Sequence, residues 1–295
     1  MSTGNTTVVP LKEISTISVL GCGWLGLPLA GELLDKGYLV KGSVTATEKI
    51  RVLRERGVEA SVLVLNETFA QVEDPGFFDT DLVIVSVPPR RTNDVESVFP
   101  GQMKKLIGLL EQYDVARVIF ISSTSVYPDG DGTVREEDAR NPEKASGRAL
   151  LAAERMFFES KRFRTTVVRF GGLIGADRNP ARFLSSRREI PDGSRPVNLI
   201  HREDCIRILT EIVRQEAWGE IFNACCPVHP SRREFYRKAS EVSGLPLPEF
   251  SADPCPAYKT VDSSKLISRL RYAFIYSNPL EWLDELSKAP DSRLI

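Results

Sequence analysis

The sequence predicts an α/β protein, a doubly wound parallel sheet followed by a smaller C-terminal lobe. Three observations point there. Short β-branched runs alternate with helical patterns from residue 14 to residue 170, which forces right-handed crossovers between parallel strands. Asp81 to Val87 is an almost unbroken apolar run, as a strand buried on both faces of a sheet requires. A Gly-x-Gly-x-x-Gly turn, Gly21-Cys22-Gly23-Trp24-Leu25-Gly26, joins the first strand to the first helix.

The elements follow in order. Ile14 to Leu20 is the first strand, and Leu25 to Leu34 has apolar residues at helical spacing before Gly37 ends it. Tyr38 to Ser43 is a strand, Thr47 to Arg56 a charged helix ended by Gly57, and Ser61 to Leu65 the third strand. The strand at Asp81–Val87 stops at Pro88-Pro89, which cannot continue a central ladder. A helix from Asp94 to Tyr113 leads to a strand at Arg117–Ser122 and the loop Ser123-Thr124-Ser125-Val126-Tyr127. Asn141-Pro142 opens the next helix, which runs to Ser160, and Thr165–Phe170 is a strand. Beyond Gly171 the pattern loosens: strand Pro196–Ile200, helix Glu203–Gln215, strand Ile221–Ala224 and helix Arg232–Ser243. The division expected is a disordered leader over 1–13, a nucleotide-binding domain over 14–170, and a substrate lobe over 171–295 with some strands rejoining the main sheet.

Composition narrows the partners. Lys and Arg number 39 against 40 Asp and Glu, so no long-range field favours nucleic acid or an anionic membrane. The five cysteines show no C-x-x-C spacing and there are two histidines, His201 and His229, a poor basis for a zinc site. No apolar stretch approaches the roughly 18 residues of a membrane helix. A reduced, cytoplasmic setting and a small-molecule substrate are expected.

The glycine turn is a Rossmann-type signal. Gly21 permits the tight turn, Gly23 lets the backbone approach a pyrophosphate, and Gly26 lets the helix lie close to the sheet, its free N–H groups facing the phosphates. Trp24 covers the cofactor or fills a hydrophobic gap, and Cys22 reads as a small packing residue. At the end of the second strand, Gly42-Ser43-Val44-Thr45-Ala46-Thr47 offers no acid for a ribose 2′-hydroxyl. Ser43 and Thr45, with Lys49 and Arg51 nearby, instead suit a 2′-phosphate, so NADP is favoured over NAD; the bland alternative is that both cations solvate a helix face.

With Val85-Ser86-Val87-Pro88-Pro89, Ile121-Ser122-Ser123-Thr124-Ser125-Val126-Tyr127, Val168-Arg169-Phe170-Gly171-Gly172 and Leu199-Ile200-His201-Arg202-Glu203-Asp204, the chain resembles the extended or atypical short-chain dehydrogenase/reductases, the NAD-dependent epimerase/dehydratase group. The resemblance runs from Ile17 to about Leu283. It implies a nicotinamide cofactor with Pro88, Pro89 and Ser122 beside it, and Ser123 hydrogen-bonding substrate. It also implies a substrate such as a nucleotide-sugar or another carbonyl compound, with a homodimer open as the assembly.

One departure matters. The family's proton donor is a tyrosine followed four residues later by a lysine, whose ammonium lowers the phenol from its ordinary pKa near ~10. The matching stretch is Ser146-Gly147-Arg148-Ala149-Leu150, with Ser146 at the tyrosine position and Leu150 at the lysine position, and none of the seven tyrosines has lysine four residues on. Loss of positioned acid–base catalysis removes roughly 10²–10⁴ in rate. Tyr127, acidified by Arg148 or Lys144, is one substitute; its alternative is packing under the loop with its hydroxyl on a backbone group. Arg148 and Arg169 are candidate substrate ligands, Arg169 equally a structural ion pair. His201 reads as a packing residue before a helix, and Asp204 as its cap or as a charge that meets its dipole. Three readings stay open: altered oxidoreductase chemistry using Ser123 and Tyr127, a non-catalytic NADP(H) sensor or scaffold, and a plain structural α/β protein.

Overall fold

A computed structural model describes residues 13–66, 70–130, 132–175, 178–251 and 257–288. The leader read over 1–13 lies, apart from Glu13, outside them.

The first half builds β1 (Thr16–Leu20), α1 (Gly26–Asp35), β2 (Leu39–Val44), α2 (Ile50–Arg54), β3 (Glu59–Leu65), β4 (Ala70–Val72), β5 (Leu82–Val85) and α3 (Val95–Gln112). There follow β6 (Arg117–Ser123), β7 (Gly132–Val134), α4 (Ala145–Glu159), β8 (Arg164–Phe170) and β9 (Gly172–Ile174). The chain closes with β10 (Leu199–His201), α5 (Arg202–Arg214), β11 (Ile221–Ala224), α6 (Arg232–Val242), β12 (Lys259–Val261), α7 (Ser264–Leu270) and α8 (Pro279–Lys288).

The main sheet has eight strands in the order β11-β8-β6-β5-β1-β2-β3-β4, parallel except for the edge pair of β3 with β4. Its strand order reverses at β1, which pairs with both β2 and β5. The period of two along each strand sorts side chains into two cores. Leu82 and Ile84 of β5 face α1, α5 and α7, through Leu29, Leu33, Ile208, Leu209, Ile212, Leu266 and Leu270. Val83 and Val85 face α3 and α4, through Met103, Leu106, Leu110, Ala153 and Phe157. The fully apolar run of β5 thus follows from helices covering both faces. Ile174, Phe235, Ala239, Trp282 and Leu283 form a third, smaller core in the lobe.

Three local expectations shift. α4 opens at Ala145 behind Lys144, because Asn141 takes a positive φ of 44° and turns the chain before the helix starts. The helix read from Thr47 begins as a 3-10 turn over Thr47–Lys49. The strand read at Pro196–Ile200 is restricted to Leu199–His201, pairing with β9 outside the main sheet. Among the described residues no helix is long and apolar enough to cross a membrane.

Candidate dinucleotide cleft and serine-loop cavity

The strand-order reversal at β1 leaves a crevice at the C-terminal ends of β1, β2, β3 and β5, the position where open α/β sheets bind ligands. Gly21 sits there with φ +93°, and a Cβ on it would meet the Ser86 carbonyl oxygen at 2.9 Å. A Cβ on Gly26 would collide with the Gly21 carbonyl oxygen. Gly23 differs: nothing lies within 4 Å of its Cβ direction, so the turn opens onto free space at that residue. α1 starts at Gly26 behind Leu25, with no side chain capping it. Open space at Gly23 beside an uncapped helix N-terminus fits a pyrophosphate.

The cleft has a volume of about 230 Å3. Leu63, Leu65, Val87 and Met103 give it an apolar wall, Pro88 its edge, and Thr45, Lys49 and Arg90 its polar rim. Gln102 is fixed in the wall by donating from Nε2 to the Leu65 carbonyl at 2.9 Å. An apolar slot with two cations and a hydroxyl, and no acid lining it among the described residues, suits an adenosine bearing a 2′-phosphate. Arg90 and Gln102 were missed by the sequence reading. Arg90 directly follows Pro88-Pro89, a signal available in the sequence; Gln102 offers none.

Other expected cofactor contacts are placed differently. Ser43 lines the cleft, but its hydroxyl accepts from the Gly21 N–H at 3.0 Å while its carbonyl accepts from Cys22 N–H at 2.8 Å. Its hydroxyl therefore braces the turn from β2. Ser122 is buried, and its hydroxyl donates to Glu154 Oε1 at 2.5 Å. Leu25 is buried in the sheet–helix core and offers only its backbone. Trp24 lies between two guanidiniums, with Arg178 at 5.3 Å and Arg202 at 4.8 Å from its ring centre. Pro89 follows Pro88 and is half-buried. Cys22 is buried, and desolvation pushes its thiol up to about 12, as for an inert packing residue. Arg51 pairs with Glu55 at 3.6 Å along its own helix, outside the cleft lining.

At the end of β6, a second cavity of about 170 Å3 is lined by Ser123, Lys144, Arg195, Lys259, Asp129 and Glu143, among others. Ser123 Oγ accepts from Ser125 N–H at 3.2 Å, which leaves its own proton to donate. Lys259 donates to the Tyr127 carbonyl at 2.7 Å and pairs with Asp129 at 3.0 Å; Arg195 pairs with the other Asp129 oxygen at 2.5 Å. Burial raises the Asp129 carboxyl, but these two cations outweigh it and hold the group below its ordinary range. Sequence reasoning had no way to bring Lys259 to Tyr127, which lies in a distant part of the chain.

Tyr127 and Arg169 meet, though in a buried network. The phenol donates to Asn223 Oδ1 at 2.6 Å and accepts from Arg169 Nη1 at 2.8 Å. Burial pushes it up to about 12 against the pull of Arg169 and Asn223. The cation beside Tyr127 is thus Arg169, whereas Arg148 grips Glu96 through two 2.7 Å bonds and ties α4 to α3. Arg169 forks onto Glu154, 2.6 Å at its shortest, with both side chains 3% exposed. Neither arginine points a free guanidinium at a substrate cavity. Leu150 is buried between α3, α4 and the sheet, and Ser146 is half-buried. Gly147, between them, lets α4 close on the serine loop, since a Cβ there would strike the Ser125 carbonyl.

His201 stands between the lobe and α5 as expected, but as the cap: its Nδ1 accepts from Glu203 N–H at 3.3 Å. Asp204 instead accepts from Tyr272 Oη at 2.7 Å, Ile275 N–H at 2.8 Å and Tyr276 N–H at 3.2 Å, holding the loop after α7.

Comparison with known proteins agrees with this geometry. A family model described as NAD(P)H-binding matches residues 21–216. Protein YeeZ of Escherichia coli K12 is 33% identical over 268 residues, covering 90% of this chain and 97% of that protein. A short-chain dehydrogenase/reductase superfamily protein from Agrobacterium tumefaciens, solved with bound NAD, superposes with TM-score 0.72 at 17% identity, covering 95% of this chain and 98% of the other. UDP-N-acetylglucosamine 4-epimerase from Bacillus cereus superposes with TM-score 0.73 at 15% identity, covering 93% and 100%. A glycine turn shaped for a pyrophosphate, a cleft at the strand-order reversal and these matches together identify the chain as a member of the NAD(P)H-binding family, with the fold of the short-chain dehydrogenase/reductase superfamily.

Proposed function

We propose that the chain prefers NADP to NAD and acts on a nucleotide-sugar or another small carbonyl compound, without a Tyr–Lys pair. The observation carrying this reading is that Thr45, Lys49 and Arg90 rim the dinucleotide cleft while Ser123 and Lys144 line a cavity at the same C-terminal edge of the sheet. When bound, the nicotinamide supplies hydride exchange. The backbone at Gly23 and the α1 N-terminus hold the pyrophosphate, and the three rim residues hold the 2′-phosphate. Ser123 donates a hydrogen bond that polarises a substrate carbonyl oxygen, and the Lys144 ammonium, lining the same cavity, favours developing negative charge.

Titration calorimetry tests the cofactor half: NADP should bind at least tenfold more tightly than NAD, and a K49A/R90A variant should lose that margin. Equal dissociation constants in the wild type defeat it. Oxidation of NADPH with UDP-sugars or simple carbonyl compounds, reduced by S123A, tests the chemistry.

A non-catalytic NADP(H) sensor is the second reading. It is favoured by the phenol of Tyr127 being fully engaged and by Leu150 lying in the core. It predicts no turnover and a protein partner whose affinity differs between the oxidised, reduced and empty forms.

A further inference from the structure

A third cavity shares no lining residue with the other two. Arg207, Glu211, Arg214 and Gln215 fall on one stripe that runs from the second turn of α5 to its end, facing the end of α7 where Arg269 and Arg271 stand. The space is an open groove of about 640 Å3, within the range of small-molecule sites. Gln215 joins the walls, its Nε2 donating to the Leu270 carbonyl and to Glu211 Oε2, each at 2.8 Å.

Charge accumulates there beyond what the local carboxylates balance. Arg214 pairs with Glu211 at 2.7 Å and Arg269 with Glu220 at 2.8 Å. Arg207 and Arg271 form no close ion pair among the described residues, although the charge of Arg207 acts on Glu211 and Asp204 from further away. Arg214 and Arg269 suit the C-terminal ends of their helices, where a cation complements the dipole. Arg207, in the second turn of α5, has no such role.

Arg271 is the more telling residue. It takes the left-handed conformation, φ 48° and ψ 43°, at the C-cap of α7, where glycine fits without crowding. Its neighbour Tyr272 turns inward to Asp204, while Arg271 is exposed at the cavity. Two guanidiniums that form no close ion pair among the described residues, each a planar fork of donors, match a ligand with two negative charges and several oxygens.

We infer that this cavity is a binding site for a small phosphate-bearing dianion, a phosphomonoester or a pyrophosphate, separate from the dinucleotide cleft. Inorganic pyrophosphate is the probe, titrated by calorimetry into the full-length wild type and into R207Q, R271G and G23A. The wild type should show a pyrophosphate site beyond the one at the glycine turn, G23A should keep that further site, and R207Q and R271G should each weaken it at least fivefold. R271G relieves the left-handed arginine, so its unfolding midpoint should not fall and loss of binding cannot come from misfolding. Absence of binding to the wild type overturns the site, as does a loss below fivefold in R207Q and R271G. Loss of all pyrophosphate binding in G23A overturns it too, because the ion then sits in the glycine turn alone. Tighter binding of a polyglutamate peptide than of pyrophosphate overturns the ligand class.

Discussion

Glu154 of α4 and Arg169 of β8 face each other at 2.6 Å with both side chains 3% exposed, and the pair holds Ser122 on one side and Tyr127 on the other. Removing one charge strands its partner away from water. Glu154→Gln or Arg169→Met should therefore cost about 3–5 kcal/mol in urea unfolding, while a Glu154→Leu/Arg169→Met double variant should cost markedly less than the two single losses summed. Additive losses would mean the two side chains act independently.

The three turn glycines should separate by what their Cβ would meet. Gly23→Ala adds a methyl group to open space, so its melting temperature should stay close to the wild type's while NADP affinity falls roughly tenfold or more, about 1.4 kcal/mol. Gly26→Ala drives a methyl group into the Gly21 carbonyl and should lower both stability and binding. Differential scanning fluorimetry with and without NADP distinguishes the two patterns.

His201 makes stability depend on pH. Its Nδ1 accepts the Glu203 N–H, its Nε2 is buried without a hydrogen-bond partner among the described residues, and its ring lies 4.5 Å from Tyr276 and 5.4 Å from Trp282. Burial, with the charge of Arg202 adding to it, lowers the imidazole to about 4. The unfolded chain takes up this proton near pH ~6.5, well before the folded one, so the contribution is complete above that pH and is lost as pH falls toward 4. The loss should be roughly 2–3 kcal/mol, and His201→Asn, which retains a capping oxygen, should flatten the pH 4–6.5 slope of unfolding free energy.

Leu150 should not accept a lysine in its place. The side chain is 4% exposed and packs with Met103, Ala153 and Phe157. Leu150→Lys should cost about 3 kcal/mol in chemical denaturation, alone or combined with Ser146→Tyr, because an ammonium would replace an isobutyl group in a dry core.

Arg271→Gly should stabilise the chain by about 1 kcal/mol, read as a higher urea midpoint, by relieving the positive φ at the end of α7.

The sheet and the glycine turn were legible because both rest on local rules. The apolar run through Leu82–Val85 announces a strand covered on both faces, and Gly21, Gly23 and Gly26 each leave a mark in the spacing. The serine loop was only half legible. Ser123 reads correctly as a residue at the end of β6, but the cation that meets Tyr127 is Arg169 from β8, and the neighbouring serine turns to Glu154. Hydroxyl direction depends on which buried charge lies below the strand, and no pattern in one sequence states it. Ser43 shows the same limit: its position beside the cleft was readable, while its bond to the Gly21 N–H was not. Shifted helix starts came from single residues, Asn141 above all, where a left-handed backbone delays a helix that Asn-Pro seemed to open.

The dinucleotide cleft and the serine-loop cavity differ in when they can exist. Every described residue lining the dinucleotide cleft precedes residue 104, whereas the serine-loop cavity waits for Lys259, carried by β12 and docked onto β7. That long loop closure is an entropic cost the cleft does not share. During synthesis on a ribosome, the cleft's lining has therefore emerged long before the C-terminal segment completes the second cavity.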